Sequence, residues 1–169
     1  MLRPQTNRLY DVFTRLDGCK VNGFLTSASN ASTKDKAPYR VFMVRKPCRV
    51  KAGDVMRAIG GEKFLLMEHP SDLYWTENFK AQQITGVYEW HRPVKIMDPV
   101  ARVVRDNGTQ ELGLIHVTFD SPEDVSLDKL LDTKYRFLTG EDVRVDDVID
   151  DKIVKRVVRI LGVNLVHAT

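Results

Sequence analysis

The sequence predicts a mainly β protein: a small β-barrel or sandwich with an N-terminal helix and one short additional helix. Three observations carry this expectation. A hairpin signature fills Val50 to Pro70, where Gly60-Gly61 separates two apolar-rich arms. Short apolar runs punctuated by turn residues continue from Tyr39 to Phe119. The tail from Lys152 onward is dense in Val and Ile, residues that fit a pleated surface. At 169 residues the chain reads as a single domain, 1–169, large enough to bury a real core.

Taken in order, residues 5–17 form the helix candidate. Leu9, Val12, Phe13 and Leu16 fall at i, i+3, i+4 and i+7, Thr6 or Asn7 can cap the start, and Gly18 can end it. A core-facing stripe is the plainer reading, and docking on a neighbouring subunit the functional one. Residues 26–38, TSASNASTKDKAP, lose all apolar period and read as a flexible loop in which Lys34 and Lys36 flank Asp35. YRVFMVRK (39–46) is a strand candidate. In the hairpin, Val55 and Ile59 share a face with Arg57. Phe64-Leu65-Leu66-Met67 is apolar on both faces, as a strand buried between two layers would be.

Residues 71–82 read as polar and irregular. ITGVYEWHR (84–92) puts Ile84, Tyr88 and Trp90 on one face, and Pro93 is expected to end or kink that strand. VKIM (94–97) and ARVVRD (101–106) are further strand candidates. Asn107-Gly108 is read as the hairpin turn leading to ELGLIHVTF (111–119). Ser121-Pro122 with Leu127, Leu130 and Leu131 suggests the short second helix. KYRFL (134–138) and DVRVDDVI (142–149) read as strands. The run 152–161 fits a helix with one cationic side, or a strand after an Asp150-Asp151 turn with a bulge at Gly162. The strand reading is adopted, because a final hairpin would close a barrel.

Chemistry is sparse. His69, His91, His116 and His167 have no second ligand at metal spacing, and Cys19 and Cys48 form no close pair; free thiols are the favoured reading. The acids Asp142, Asp146, Asp147, Asp150 and Asp151 do not match a calcium-loop spacing. Phosphate-loop, nucleophile-elbow and Cys/His patterns are lacking. The expectation is therefore no enzyme, no cofactor and no metal. Trp75, Trp90, Tyr74 and Tyr88 could stack bases, but they sit beside Glu77 and Glu89, which favours core packing or a protein interface. No apolar run approaches bilayer-spanning length, and MLRPQTNR lacks a signal-peptide apolar region, so no membrane association is expected.

Charge is unevenly spread. Residues 1–60 carry twelve Lys or Arg against four Asp or Glu, whereas residues 120–151 carry four against eleven. Such a split suits either solvated faces or head-to-tail contact. The contact reading pairs Asp142, Asp146, Asp147, Asp150 and Asp151 with Lys34, Lys36, Arg40, Arg45, Lys46 and Arg49 as the candidate interface.

The pattern Val-x-x-Gly-Asp-Val (50–55), a glycine turn and Lys-Phe-Leu-Leu-Met-Glu-His-Pro (63–70) resembles the neck proteins of tailed bacteriophages, the head-closure (stopper) and adaptor proteins between portal and tail. The C-terminal run, Asp-Asp-Lys-Ile-Val-Lys-Arg-Val followed by Leu-Gly-Val-x-Leu-Val, is also similar to the way such small β proteins end. The resemblance covers residues 39–70 and 141–167 in style, and the 121–132 turn departs from it. It implies a non-enzymatic virion protein of the head-tail connector, assembled in the host cytoplasm. That protein would form a homo-oligomeric ring around the DNA channel, contact the portal or adaptor and the tail proteins, and leave room for non-specific contact with packaged DNA. The alternative is a nucleic-acid-binding β-barrel acting in solution.

Overall fold

The structure, a computed structural model, describes residues 11–26, 40–69, 75–119 and 135–169. The second helix expected at 121–132, most of the 26–38 loop, and Lys34 and Lys36 lie outside these residues. Among the described residues the chain is all β, with twelve strands in two closed six-stranded barrels. The mainly β, barrel-forming expectation therefore holds, while the expected helix over 5–17 is replaced, in its described part, by a strand.

The first barrel contains β1 (Asp11–Arg15), β2 (Lys20–Leu25), β3 (Arg40–Arg45), β4 (Val55–Arg57), β5 (Lys63–Glu68) and β6 (Thr76–Gln83). Its strands neighbour one another in the order β1-β2-β3-β6-β5-β4, and β4 pairs back on β1. The helical stripe at 5–17 misleads because Val12, Phe13 and Thr14 suit a pleated strand equally well. An Asp17-Gly18 turn then folds the chain back on β2, with Thr14 opposite Lys20. The Asp17 carboxylate accepts from Arg15 Nε and from the Cys19 amide, both at 3.0 Å, and these bonds hold its pKa down to about 2. Phe13 is buried against Phe42, whereas Val12 and Leu16 are exposed.

The hairpin at 50–70 forms as expected, with Val55 opposite Leu65 and Arg57 opposite Lys63. Its turn is wider than the two-residue form. Ala58 receives the Gly61 amide, the Ala58 amide reaches Glu62, and Gly61 takes a positive φ. Residues 76–83, expected to be irregular, are strand β6, with Phe79 and Ala81 in the core. Their polar alternates Asn78 and Gln82 hid the period.

The second barrel contains β7 (Gly86–Met97), β8 (Val104–Phe119), β9 (Tyr135–Thr139), β10 (Val148–Ile149), β11 (Lys152–Ile160) and β12 (Val163–Ala168), ordered β10-β11-β12-β9-β8-β7 with β10 pairing back on β7. The tail is strand, as adopted. Asp150-Asp151 turns the chain with both residues at positive φ. Gly162 lies in the β11–β12 turn with Leu161, where a bulge was expected; the bulge falls instead beside Lys155. Residues 142–147 contribute no strand, and only Val148–Ile149 pairs.

Each barrel has its own core, and a third apolar cluster joins them. Phe64 and Leu66 point into the first barrel, while Leu65 and Met67 of the same strand pack with Leu138, Val163 and Leu165 of the second. A strand apolar on both faces is thus buried between two layers, as its sequence implied. The backbones also meet. The Glu68 amide donates to the Leu161 carbonyl at 2.8 Å, Thr118 Oγ1 donates to the Gln83 carbonyl at 2.9 Å, and a Cβ on Gly140 would collide with the carbonyl of Gly53.

Candidate functional site

The feature least explained by folding alone is the far half of the β7–β8 hairpin. Near the barrel, β7 pairs with β10 at Trp90 and His91, and β8 pairs with β9 at Thr118 and Phe119. Beyond Arg92 and Gln110 the two strands pair only with one another, out to Met97 opposite Val104. Every residue from Pro99 to Glu111 is exposed. Two bulges shape this ribbon, beside Trp90 and beside Pro93, and Gly113 and Gly108 sit at them with positive φ. Such bulges sharpen strand twist and re-aim a hairpin. Asn107-Gly108 is therefore a bulge within β8, and the turn lies at Asp98–Val103; Pro93 does not end its strand.

The tip is firmly built. Asp98 Oδ1 accepts the amides of Val100 (2.9 Å) and Ala101 (3.1 Å), which hold its pKa below the usual carboxylate range. The Asp98 amide donates to Val103, the Arg102 amide returns to Asp98, and Arg105 reaches the other carboxylate oxygen at 3.2 Å. This ordered turn presents Ile96, Met97, Val100, Val103 and Val104 to solvent; Val100 is 92% and Met97 68% exposed. Several exposed apolar side chains gathered at the end of an ordered element make it a candidate contact surface.

The base of the ribbon is braced by the acidic segment 142–147. Arg92 Nε donates to Asp147 Oδ1 at 2.8 Å and its Nη2 to Oδ2 at 2.9 Å. Trp90 Nε1 and the Arg144 amide also donate to Oδ2, at 3.0 and 2.9 Å. Burial by itself would raise the Asp147 pKa. The bonds from Arg92, the Arg144 amide and Trp90 outweigh it and leave the carboxylate below its ordinary value, while Asp147 raises that of Arg92. Farther out, Lys95 Nζ lies 3.1 Å from Asp146.

This placement revises the charge-patch reading. Asp147 is 1% exposed and belongs to no surface. Asp142 pairs with Arg144, Asp146 with Lys95 and Asp150 with Lys152; Asp151 is exposed in the turn. Of the basic candidates, Arg40 lies over the Phe64 ring, and Arg45, Lys46 and Arg49 are exposed near the β3 end. Trp90 is a core residue bonded to Asp147, Tyr88 is half-buried, Trp75 is exposed and Tyr74 lies outside the described residues.

Among the described residues no group of three His, Cys, Asp or Glu side chains is placed to hold a metal ion. Both cysteines are free, and Cys48 donates to Glu77 at 2.9 Å. Burial and that carboxylate raise its pKa to about 11, so it is a poor nucleophile at neutral pH. No helix among the described residues is long and apolar enough to cross a membrane.

The ribbon escaped sequence reading because Asn-Gly is a stronger turn signal than Asp98-Pro99. A usable sign was present: Ile96-Met97 and Val103-Val104 are adjacent apolar pairs with no polar alternation, too much apolar surface for a solvated hairpin. No protein-family model, curated protein or solved structure matches this chain.

Proposed function

We propose that this protein is a non-enzymatic structural subunit of the tailed-phage neck, forming a ring that joins portal or adaptor to tail around the DNA channel. The observation that carries the reading is the braced ribbon with its apolar tip. A two-barrel body needs no such arm for its own stability, and a preorganised exposed apolar surface is what a subunit contact requires. The charge at the ribbon end argues against a nucleic-acid arm. Lys95 and Arg105 are both engaged by carboxylates, and of the charges left at the ribbon end the exposed Arg102 is offset by Asp106, so no net positive charge is offered to a phosphate chain.

The test is electron microscopy of the purified chain, alone and mixed with a portal ring, beside titration with duplex and single-stranded DNA at two salt concentrations. Rings with a central channel, formed alone or on the portal, are expected, with weak salt-sensitive DNA binding at most. A chain that forms no ring under either condition and binds DNA with a steep salt dependence is the solution nucleic-acid binder instead.

A further inference from the structure

The chain contains the dipeptide Asn-Gly twice, at Asn22-Gly23 and at Asn107-Gly108. An asparagine followed by glycine is open to attack by its own main chain, because glycine has no Cβ to hinder the approach and a freely turning backbone. Both asparagines are exposed, so solvent access does not separate the two sites. The backbone does. Strand β2 lies inside the first barrel: Asn22 is opposite Val12 and Gly23 opposite Asp11 on β1, and Gly23 is also opposite Val44 on β3. Gly23 is buried, and a Cβ there would run into the Phe42 ring. Asn107 and Gly108 lie in the outer half of the ribbon. The ladder passes from Lys95 opposite Asp106 to Pro93 opposite Thr109, and the two residues between, Asn107 and Gly108, have no register partner. The other side of β8 is open here, since β8 meets β9 only at Thr118 and Phe119. Gly108 takes a φ of +82°, and a Cβ on it would meet nothing within 4 Å.

We infer that Asn107 is a site of spontaneous deamidation and isoaspartate formation, and that the first barrel protects Asn22 from the same reaction. The main-chain nitrogen of Gly108 attacks Asn107 Cγ. An N–C bond forms, the Cγ–Nδ2 bond breaks, and Nδ2 leaves as ammonia with the proton given up by Gly108. The product is a succinimide ring. Water then opens the ring at one of its two carbonyls. Opening at Cγ gives aspartate, and opening at the main-chain carbonyl gives isoaspartate, in which the chain runs through Cγ. One water is consumed and one ammonia released. Ring closure requires the Asn107–Gly108 peptide to turn out of extended geometry. At a bulge with an open edge this breaks no barrel pairing. At Gly23 it would break the pairing with β1 and β3 and displace Phe42, which is 1% exposed. The reaction places a second carboxylate beside Asp106, and isoaspartate adds a main-chain carbon at the bulge that aims the ribbon. It depends on the fold alone and not on the proposed ring.

The experiment is incubation of the full chain at neutral pH and physiological temperature, sampled over weeks. Peptide mapping by mass spectrometry follows the mass gained when NH₂ is exchanged for OH, and chromatography separates the isoaspartyl from the aspartyl peptide. Asn107 is expected to convert more than about tenfold faster than Asn22, because Asn22 reacts only from an opened barrel. In denaturant both sites should react, and their rates should come within a few-fold of each other. Asn107→Gln should abolish the conversion in its peptide, since glutamine would have to close a larger ring. The inference is overturned if Asn22 keeps pace with Asn107 in the folded chain, or if Asn107 stays intact there while the denatured chain converts. It is also overturned if the same ratio persists in denaturant, since flanking residues and not the fold would then set it.

Discussion

Replacing Asp147 by Asn tests whether the acidic segment braces the ribbon or decorates the surface. The change keeps the shape and one acceptor oxygen but removes the charge that faces Arg92, and it turns an amide NH₂ toward a donor. Removing one partner of a buried ion pair costs about 3–5 kcal/mol, because the other charge is left uncompensated. Arg92 is partly exposed and can rehydrate, and the Asn oxygen can still serve Trp90 or the Arg144 amide. Discounting that range by about 1 kcal/mol for these compensations, a loss of about 2–4 kcal/mol is expected. For a chain of this length that corresponds to a melting temperature lower by roughly 5–15 °C. The pH dependence follows from the sign of the shift. The folded-state pKa of Asp147 is depressed, so its contribution is complete above the unfolded value of about 3.9 and is lost as pH falls through the folded value. Thermal melts of both proteins at pH 7 and in acid check this: the gap should narrow in acid. Asp142→Asn and Asp150→Asn, at exposed sites, should shift stability by no more than about 0.5 kcal/mol. If Asp147→Asn melts within 2 °C of the wild type at pH 7, on the order of the surface-site effect, Asp147 is not a brace.

Three further outcomes are expected. Leu66→Asp should prevent folding, since Leu66 is fully buried and an unpaired buried carboxylate costs several kcal/mol, on the order of the whole stability; soluble protein with unchanged melting would refute the hairpin-centred core. Gly140→Ala should destabilise by about 1–3 kcal/mol through collision with the Gly53 carbonyl, read by urea titration, and no shift in midpoint would mean the barrels can part without cost. His116 has Nε2 3.3 Å from Lys63 Nζ across the barrel junction, and its Nδ1 is buried without a hydrogen-bond partner. Burial, then the Lys63 charge, lower its pKa, so stability should fall as pH drops below about 6.5 through the folded value. His116→Gln should flatten that slope in melts between pH 5 and 7, and an unchanged slope would place the titration elsewhere.

How much of the fold was legible depended on whether local pattern and tertiary pairing agreed. At Phe64-Leu65-Leu66-Met67 they agreed: four apolar residues in a row need two apolar environments, and the two barrels supply them. The strand character of 152–160 was legible from its Val and Ile density, but its return as β12 was not, because Gly162 reads equally well as a bulge and instead lies in the turn with Leu161. At 11–15 they disagreed. Val12, Phe13 and Leu16 satisfy a helical period, yet the pleat needs only Phe13 inward, and long-range pairing with β2 and β4 decides the outcome. Strand β6 was hidden because Asn78 and Gln82 are buried polar residues, which composition reads as loop.

The candidate site was legible only in part, and the reason is the low information content of charge. A run of aspartates looks the same in sequence whether it is solvated, an interface or a brace. Only the fold brings Arg92 and Trp90, more than fifty positions away, onto Asp147. Once that bond set exists, the segment 142–147 needs no strand of its own to be fixed, because Asp147 takes donors from β7 and from the Arg144 amide. The same bonds set the direction in which β7 leaves the barrel, between two bulges that could each turn it elsewhere. The charge of Asp147 is thus spent within the chain, whereas Asp142, Asp146 and Asp150 pair with cations at the surface and Asp151 stays exposed; the ribbon tip itself presents mainly apolar side chains. It follows that assembly through the ribbon should be less sensitive to salt than an acidic-to-basic patch contact would be.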